Sequence, residues 1–345
     1  SNTAAEAVST EYIDENFVRE RTKRIINNFV ARRADQITLN DPNLAGRLLS
    51  NGTNGRLSGQ ADHKQTNRGF NGKASGEDAR LDKIIGADAA EKVNFWTRAS
   101  LVSVNAEEAK NDMFLVYAGV DYKLNDDTII GVMGQYDFAE EKNDAEAYEV
   151  SGKGWMAGPY IVSRVTDKLI YDGRAAWGQS TNDVSPFKTY TDEFKSSRWL
   201  LKSQFTGDFK VNDWNVNPNL AVIYFQENVD GYRDSLGIDI SDQTVRLGRV
   251  TFGPRVSKIF ETNGTTTLTP TLSLRGIWDF EQAEIVNLDT GLATATGAFR
   301  ARTEAGLAIR LPGGASLTLD SFYDGIGQAD YEAYGGLVGI SFPLK

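Results

Sequence analysis

The amino-acid sequence predicts an all-β membrane protein: a 12-stranded antiparallel transmembrane β-barrel with an N-terminal α-helix threaded through its pore. Three observations predict this fold. Apolar and polar residues alternate from about residue 93 onward, the connections between alternating runs are short and long in turn, and a helix-forming segment with charge on all sides precedes them. Because barrel strands present alternate residues to lipid and lumen, a mean hydropathy of -0.39 is compatible with a membrane protein.

The composition excludes several other classes of protein. The 345-residue chain contains no cysteine, which excludes a disulfide framework and thiolate metal sites. Its formal net charge of -10 argues against nucleic acid as a partner. No run of 18 apolar residues is present, so no transmembrane helix is expected. The sequence shows no metal site and no cofactor site, and because it begins Ser1-Asn2 without a signal peptide we interpret it as a fragment or a mature form.

Residues 1–50 are predicted to form a linker that contains the pore-spanning helix, at about 11–40. This segment lacks Pro and Gly and stops before Pro42, as a helix must. Thirty residues would span roughly 45 Å, about the thickness of a bilayer with its head groups. Its arginines lie around the whole circumference: Arg19, Arg21, Arg24, Arg32 and Arg33. A helix that is polar on nearly all sides requires either a polar enclosure or water, so a solvated linker is the alternative.

Residues 51–92 are rich in Gly, Asn and Ser and are predicted to form a loop, with a short helix around Leu81, Ile84 and Ile85. Residues 93–345 are predicted to form the barrel. About twelve alternating runs occur there, including 113–124 and 128–139. Short turns at one end and longer loops at the other, the latter including 140–149, 179–194, 227–242 and 282–294, are typical of outer-membrane barrels.

The alternation also predicts which charged residues line the lumen. An even number of strands closes the sheet and leaves no edge exposed to lipid, and the resulting lumen accommodates a helix about 10 Å across. Arginines of the helix could form charge-assisted hydrogen bonds with acidic residues of the wall. The predicted pore-lining residues are Asp121, Asp172, Arg174, Asp208, Arg275, Asp279, Arg302 and Glu304.

Several sequence runs together resemble one known family. They include Phe29 to Asp35 followed by Asp41 to Leu44 in the linker, and in the barrel Gly154 to Tyr160, Arg174 to Gly178 and Tyr323 to Gly327. These runs resemble autotransporter β-domains of a proteobacterial branch over nearly the whole chain, least so over 51–92. The chain departs from most outer-membrane barrels in ending Phe342-Pro343-Leu344-Lys345 instead of on an aromatic residue.

The resemblance implies a role in type V secretion. A monomeric barrel would insert into the lipid of the bacterial outer membrane with the barrel assembly machinery. A passenger domain preceding Ser1, often one for adhesion or virulence, would then cross to the cell surface. The helix would remain behind as a plug. No cofactor and no nucleic-acid partner is implied.

Three other functions are compatible with parts of the sequence. An outer-membrane phospholipase or protease would require a histidine base, and the only histidine is His63, which precedes the first predicted strand. A diffusion porin would usually have about sixteen strands or more and a constricting loop. A soluble β-sandwich adhesin would have shorter strands.

One reaction could still take place within the pore, although the chain as a whole is not predicted to be an enzyme. Some autotransporters cut their linker when an Asn side chain cyclises onto its own backbone. The adjacent Asn27 and Asn28 are the candidates, although the residues around them do not match the known cleavage motif. Alternatively, the pair simply occupies a polar position of the helix.

Overall fold

The structure of the chain is a computed structural model. It describes residues 14–49, 92–106, 109–262, 266–282, 288, 299–328 and 331–343. The predicted short helix around Leu81 and the single histidine, His63, lie outside the described residues.

The N-terminal helix, α1, spans Glu15–Leu39. Asp14 caps it, because its carboxylate accepts hydrogen bonds from the backbone N–H groups of Asn16 at 3.0 Å and Phe17 at 3.2 Å. It ends at Leu39 with Asn40 as its C-cap, two residues before Pro42, and a short 3-10 helix follows at Leu44–Arg47. In the part of the chain that the structure describes, no helix combines the length and apolar character needed to cross a membrane.

Twelve long strands follow among the described residues. In chain order they are β1 (Val93–Ala106), β2 (Ala109–Asn125), β3 (Thr128–Asn143), β4 (Tyr148–Thr166), β5 (Leu169–Ser185), β6 (Asp192–Gly207), β7 (Trp214–Val229), β8 (Gln243–Lys258), β9 (Thr267–Glu281), β10 (Phe299–Arg310), β11 (Ser316–Ile326) and β12 (Tyr331–Pro343). Shorter strand segments occur at Phe209–Val211, Tyr232–Arg233, Asp239–Ile240 and Phe260–Glu261.

The sheet closes on itself. Each long strand pairs antiparallel with the next, and β12 pairs with β1 from Asn94 opposite Pro343 to Ala106 opposite Tyr331. No edge of the ring is left unpaired, so every strand satisfies its ladder hydrogen bonds within the barrel. The predicted 12-stranded barrel is confirmed.

Several strands are longer than the alternating runs had predicted. β3 continues to Asn143 and β5 to Ser185, so parts of the predicted loops 140–149 and 179–194 are strand. The loop predictions were wrong for these parts, because polar residues on both faces of the strand hide the alternation that identifies a strand. The backbone pairing nevertheless continues there, for example where Glu141 lies opposite Val150.

The two faces of the barrel have opposite character. On β2, Phe114 and Val120 point outward and are exposed, while Tyr117 and Asp121 point inward and are buried. The same parity leaves large apolar side chains such as Leu101 exposed on the outside, which is typical of the lipid-facing surface of a membrane barrel. The interior is a mixed core of charged and apolar residues around α1.

Two glycines make room for aromatic rings on the inner wall. A Cβ at Gly119 would lie 2.5 Å from the Trp96 indole, and one at Gly131 would overlap the Tyr160 ring. The two rings pack edge to face with an angle of 69° between their planes, and Trp96 Nε1 donates to Tyr160 Oη at 3.0 Å. Glycine at these two positions therefore allows the aromatic pair to lie against the strands.

Candidate functional site: the charged lumen around α1

The helix α1 lies inside the barrel. Sixteen of its 25 residues are buried, including the charged Arg33, whose side chain is 0% exposed. Its apolar residues Ile25, Ile26 and Phe29 belong to the same core as wall residues from most of the strands. The lumen is thus filled by the helix, and its polar side chains find their partners on the wall.

Arginines in the middle of α1 are matched by acidic residues of β3 and β7. Arg33 forms an ion pair with Glu227 and donates to Asn182 Oδ1 at 2.7 Å and to Ser180 Oγ at 3.0 Å. Arg32 donates to Glu141 Oε1 at 2.6 Å. Charge-assisted hydrogen bonds of this kind, made where water is excluded, hold the helix at a specific depth.

The long loops hold the N-terminal end of α1. Arg19 Nε donates to the carbonyl of Asp239 at 2.9 Å, and Arg24 Nη1 donates to that of Leu288 at 2.8 Å. Arg21 donates to the Pro186 carbonyl at 3.1 Å and stacks over the Phe187 ring. These loops therefore close over the helix at their end of the barrel.

The charge pattern reverses at the C-terminal end of α1. Asp35 is the acidic partner there, at 2.5 Å from both Arg249 and Arg300 of the wall. The last turn of α1 has no basic residue of its own, and wall arginines contact it instead. Arg275 Nη1 donates to the Leu39 carbonyl at 3.1 Å. Cations near the C-terminus of a helix are stabilised by its dipole.

The segment after α1, which we call the linker anchor (Asp41–Leu48), is bound to the wall near the short-turn end. Asp41 forms ion pairs with Arg174 and Lys202, the latter at 3.1 Å. Arg47 forms an ion pair with Asp121 and stacks 4.9 Å from the Trp96 ring. The linker anchor is therefore attached to the wall at β2 as well as at β5 and β6.

The structure places the predicted pore-lining residues as follows. Four of them contact the linker directly: Asp121 through Arg47, Arg174 through Asp41, Arg275 through Leu39, and Arg302 through Asn40, the last at 3.0 Å. The other four bind wall residues: Asp208 with Arg164, Asp172 with Lys202, Asp279 with Arg249 and Arg300, and Glu304 with Arg275 and Arg302.

Sequence reasoning missed several residues of this site. It expected charges of both signs on the wall but paired only the acidic ones with arginines of the helix, and so did not anticipate Asp35 and Asp41 as partners of wall arginines. The parity of each strand could have identified the wall residues. The residues missed in this way are Glu141, Glu227 and Arg249.

Asn27 and Asn28 both lie within the regular part of α1, and Asn28 is 3% exposed. Cleavage at this pair is still only a prediction. Among the described residues, no group of three or more His, Cys, Asp or Glu side chains is arranged to hold a metal ion.

A closed barrel with a charged helix held in its lumen defines a class of outer-membrane translocators. The family model of the autotransporter β-domain matches residues 95–321, which is more than half of the chain. The chain therefore belongs to the autotransporter β-domain family, whose role is passenger secretion across the outer membrane. No curated protein sequence matches it significantly.

Solved structures of autotransporter barrels share the fold. The β domain of the Bordetella autotransporter BrkA is 14% identical, with a TM-score of 0.59 over 73% of this chain and 99% of that one. The translocator domain of NalP from Neisseria meningitidis is 14% identical, with a TM-score of 0.55 over 73% and 88%. The transport unit of AIDA-I from Escherichia coli is 13% identical, with a TM-score of 0.60 over 73% and 90%.

Proposed function

We propose that this barrel inserts into the bacterial outer membrane as a monomer, with the help of the barrel assembly machinery. It then conveys an N-terminal passenger to the cell surface. Afterwards α1 stays in the lumen, where it plugs the pore and stabilises the barrel. The observation that carries this proposal is the match between the charges of α1 and those of the surrounding wall.

The match is specific for the direction of the helix. Arg32 and Arg33 meet the acidic Glu141 and Glu227, whereas Asp35, less than one turn further on, meets Arg249 and Arg300. A helix threaded in reverse or shifted by a turn would bring like charges together in a low-dielectric interior, which is costly. The wall is thus complementary to this linker in one position.

The orientation of α1 supports export to the cell surface. Its N-terminal end lies among the long loops, where Arg19 contacts the strand at Asp239–Ile240. In outer-membrane barrels the long loops are extracellular and the short turns periplasmic. A polypeptide joined ahead of α1 would therefore emerge outside the cell.

Conductance in planar bilayers tests the plug. We expect the full chain to conduct poorly and a variant lacking residues 1–40 to conduct well, since removing α1 opens the lumen. Heat-modifiable mobility on a gel in detergent shows whether both barrels are folded. High, steady conductance of the full chain would instead favour a diffusion porin, and low conductance of a folded deletion variant would contradict the plug.

Surface display tests translocation. An epitope fused ahead of the chain, together with a secretion signal, should be labelled by antibody on intact bacteria. The matched control is the same fusion ending at residue 310, which lacks β11 and β12 and cannot close the sheet. Equal labelling of both fusions, or none with the complete chain, would contradict the proposal.

Lipase and protease assays with His63→Ala as control address the enzyme alternative.

A further inference from the structure

Four arginines from four strands converge in the lumen below the end of α1. We call them the arginine cluster: Arg98 of β1, Arg255 of β8, Arg275 of β9 and Arg302 of β10. They surround Glu304, which interacts electrostatically with each of the four. The register explains the grouping, because Arg302 lies directly opposite Arg275 and Arg255 lies opposite Ser273, which is itself opposite Glu304.

The acidic residues around the cluster do not balance its charge. Glu304 accepts hydrogen bonds from Arg302 Nε at 2.8 Å and from Arg275 Nη2 at 3.4 Å. Asp320 is the second carboxylate, at 3.9 Å from Arg98. Within the part of the chain that the structure describes, Glu304 and Asp320 are the carboxylates that form ion pairs with members of this four-arginine cluster, and the C-terminus of α1 contributes only about half a negative charge. An excess of positive charge in a buried place is unfavourable unless an anion neutralises it.

Three guanidinium N–H groups of the cluster are buried and have no hydrogen-bond partner among the residues that the structure describes. They are Nε of Arg98, Nε of Arg255 and Nη1 of Arg302. Arg302 is only 1% exposed, and its orientation is fully determined: Nε binds Glu304, Nη2 binds Asn40, and one face stacks on the Phe322 ring at 3.6 Å. Buried polar groups are ordinarily paired, so these donors indicate a missing acceptor.

One member of the cluster, Arg98, is accessible from the short-turn end of the barrel. A cleft of about 50 Å³ opens there between the linker anchor and the periplasmic ends of β1, β11 and β12. Arg98 lines this cleft together with Arg47 and Thr318. An ion small enough for the cleft could reach the cluster at Arg98 while α1 is in place.

We propose that the arginine cluster is a binding site for a small oxyanion of the phosphate type. The several oxygens of such an ion would accept the free N–H groups of Arg98, Arg255 and Arg302 and neutralise the excess charge. Guanidinium is suited to this role because its donors are fixed in a plane that matches phosphate geometry. Since Arg275 and Arg302 also hold Leu39 and Asn40, the bound ion would stabilise the end of the helix.

Titration calorimetry of the full chain with inorganic phosphate tests the site, using delipidated protein in a neutral detergent and a phosphate-free buffer. We expect saturable binding of one phosphate per chain and a higher unfolding temperature in phosphate than in chloride at equal ionic strength. In the double variant Arg98→Gln/Arg255→Gln the affinity should fall at least tenfold. The control Arg246→Gln removes an exposed arginine of β8 and should leave the affinity unchanged.

Two further experiments cover the cases in which the double variant does not fold or the ligand is a lipid. If the double variant does not fold, as judged by gel mobility, Arg255→Lys retains the charge but removes the planar donors, and should weaken phosphate binding severalfold. Phosphatidylglycerol added to the micelles distinguishes two sources of the oxyanion. If the site takes a lipid head group, this lipid should displace the bound phosphate; if the site takes a free ion, the lipid should not displace it. Non-saturable binding, or equal affinity in the wild type and the folded cluster variants, would overturn the proposal.

Discussion

Arg33 of α1 and Glu227 of β7 form an ion pair in which both side chains are 0% exposed. The carboxylate also accepts hydrogen bonds from Ser180 at 2.9 Å and Ser196 at 2.5 Å. The helix is thus bound to the wall through a network with no access to water. Removing one member leaves a buried charge without its counter-ion, and such a loss is usually severe.

We expect Arg33→Ala to lower the free energy of unfolding by about 3 kcal/mol, measured by urea denaturation in detergent. Glu227→Gln alone should cost less, because Ser180 and Ser196 still donate to the amide oxygen. A double-mutant cycle should give a coupling energy above about 1 kcal/mol. The control Lys110→Ala breaks the exposed pair with Asp112 and should change the stability by less than about 1 kcal/mol. An additive cycle would contradict the pairing.

Asp35→Asn should raise the conductance of the full chain. The substitution keeps the size of the side chain but removes the charge through which α1 pairs with Arg249 and Arg300, so that the C-terminal half of α1 is held less firmly. Single-channel recordings would measure the open probability. Glu20→Gln, at an exposed position paired with Lys23 at 3.9 Å, is the control and should behave as wild type. A folded Asp35→Asn barrel with unchanged conductance would refute this explanation of the plug.

Gly131→Ala should destabilise the barrel by about 1–3 kcal/mol, since the added methyl group would overlap the Tyr160 ring. Gly134→Ala on the same strand is a close control, because no atom lies within 4 Å of its added Cβ. Gel mobility as a function of temperature would compare the two. Equal melting of both variants would show that the contact between Gly131 and Tyr160 does not limit stability.

Tyr190, in the loop between β5 and β6, should make the loops sensitive to high pH. Burial raises the pKa of its hydroxyl from 10.0 to about 12, and the carboxylates of Asp234 and Asp192 contribute. The neutral form is therefore favoured in the folded state. Its contribution to stability is complete below pH 10 and is lost as the pH rises through about 12.

Limited proteolysis of the loops between pH 8 and 12 would measure this effect. We expect cleavage in the wild type to increase from about pH 10 upward, and Tyr190→Phe to reduce that increase because the ring no longer ionises. Tyr323→Phe, on the outside of β11, is the control and should follow the wild type. An unchanged pH profile in Tyr190→Phe would contradict the assignment.

The sequence alone was sufficient to predict most of the barrel. On β2, strict alternation separated Phe114 and Val120 from Asp121, and the structure shows the same two faces. This succeeded because the side-chain direction along a strand depends only on residue parity. The all-round charge of residues 11–40 likewise indicated a helix in a polar enclosure.

The pairing inside the lumen was decided by the tertiary structure. Asp35 meets Arg249 and Arg300 across more than 200 residues of sequence separation, and the arginine cluster is assembled from four strands. The register between strands and the depth of the helix decide which inward-facing residues lie at the same height in the lumen. Both are set by the closure of the whole sheet. The sequence by itself therefore determined the faces of each element, whereas the closed barrel alone decided which charges meet.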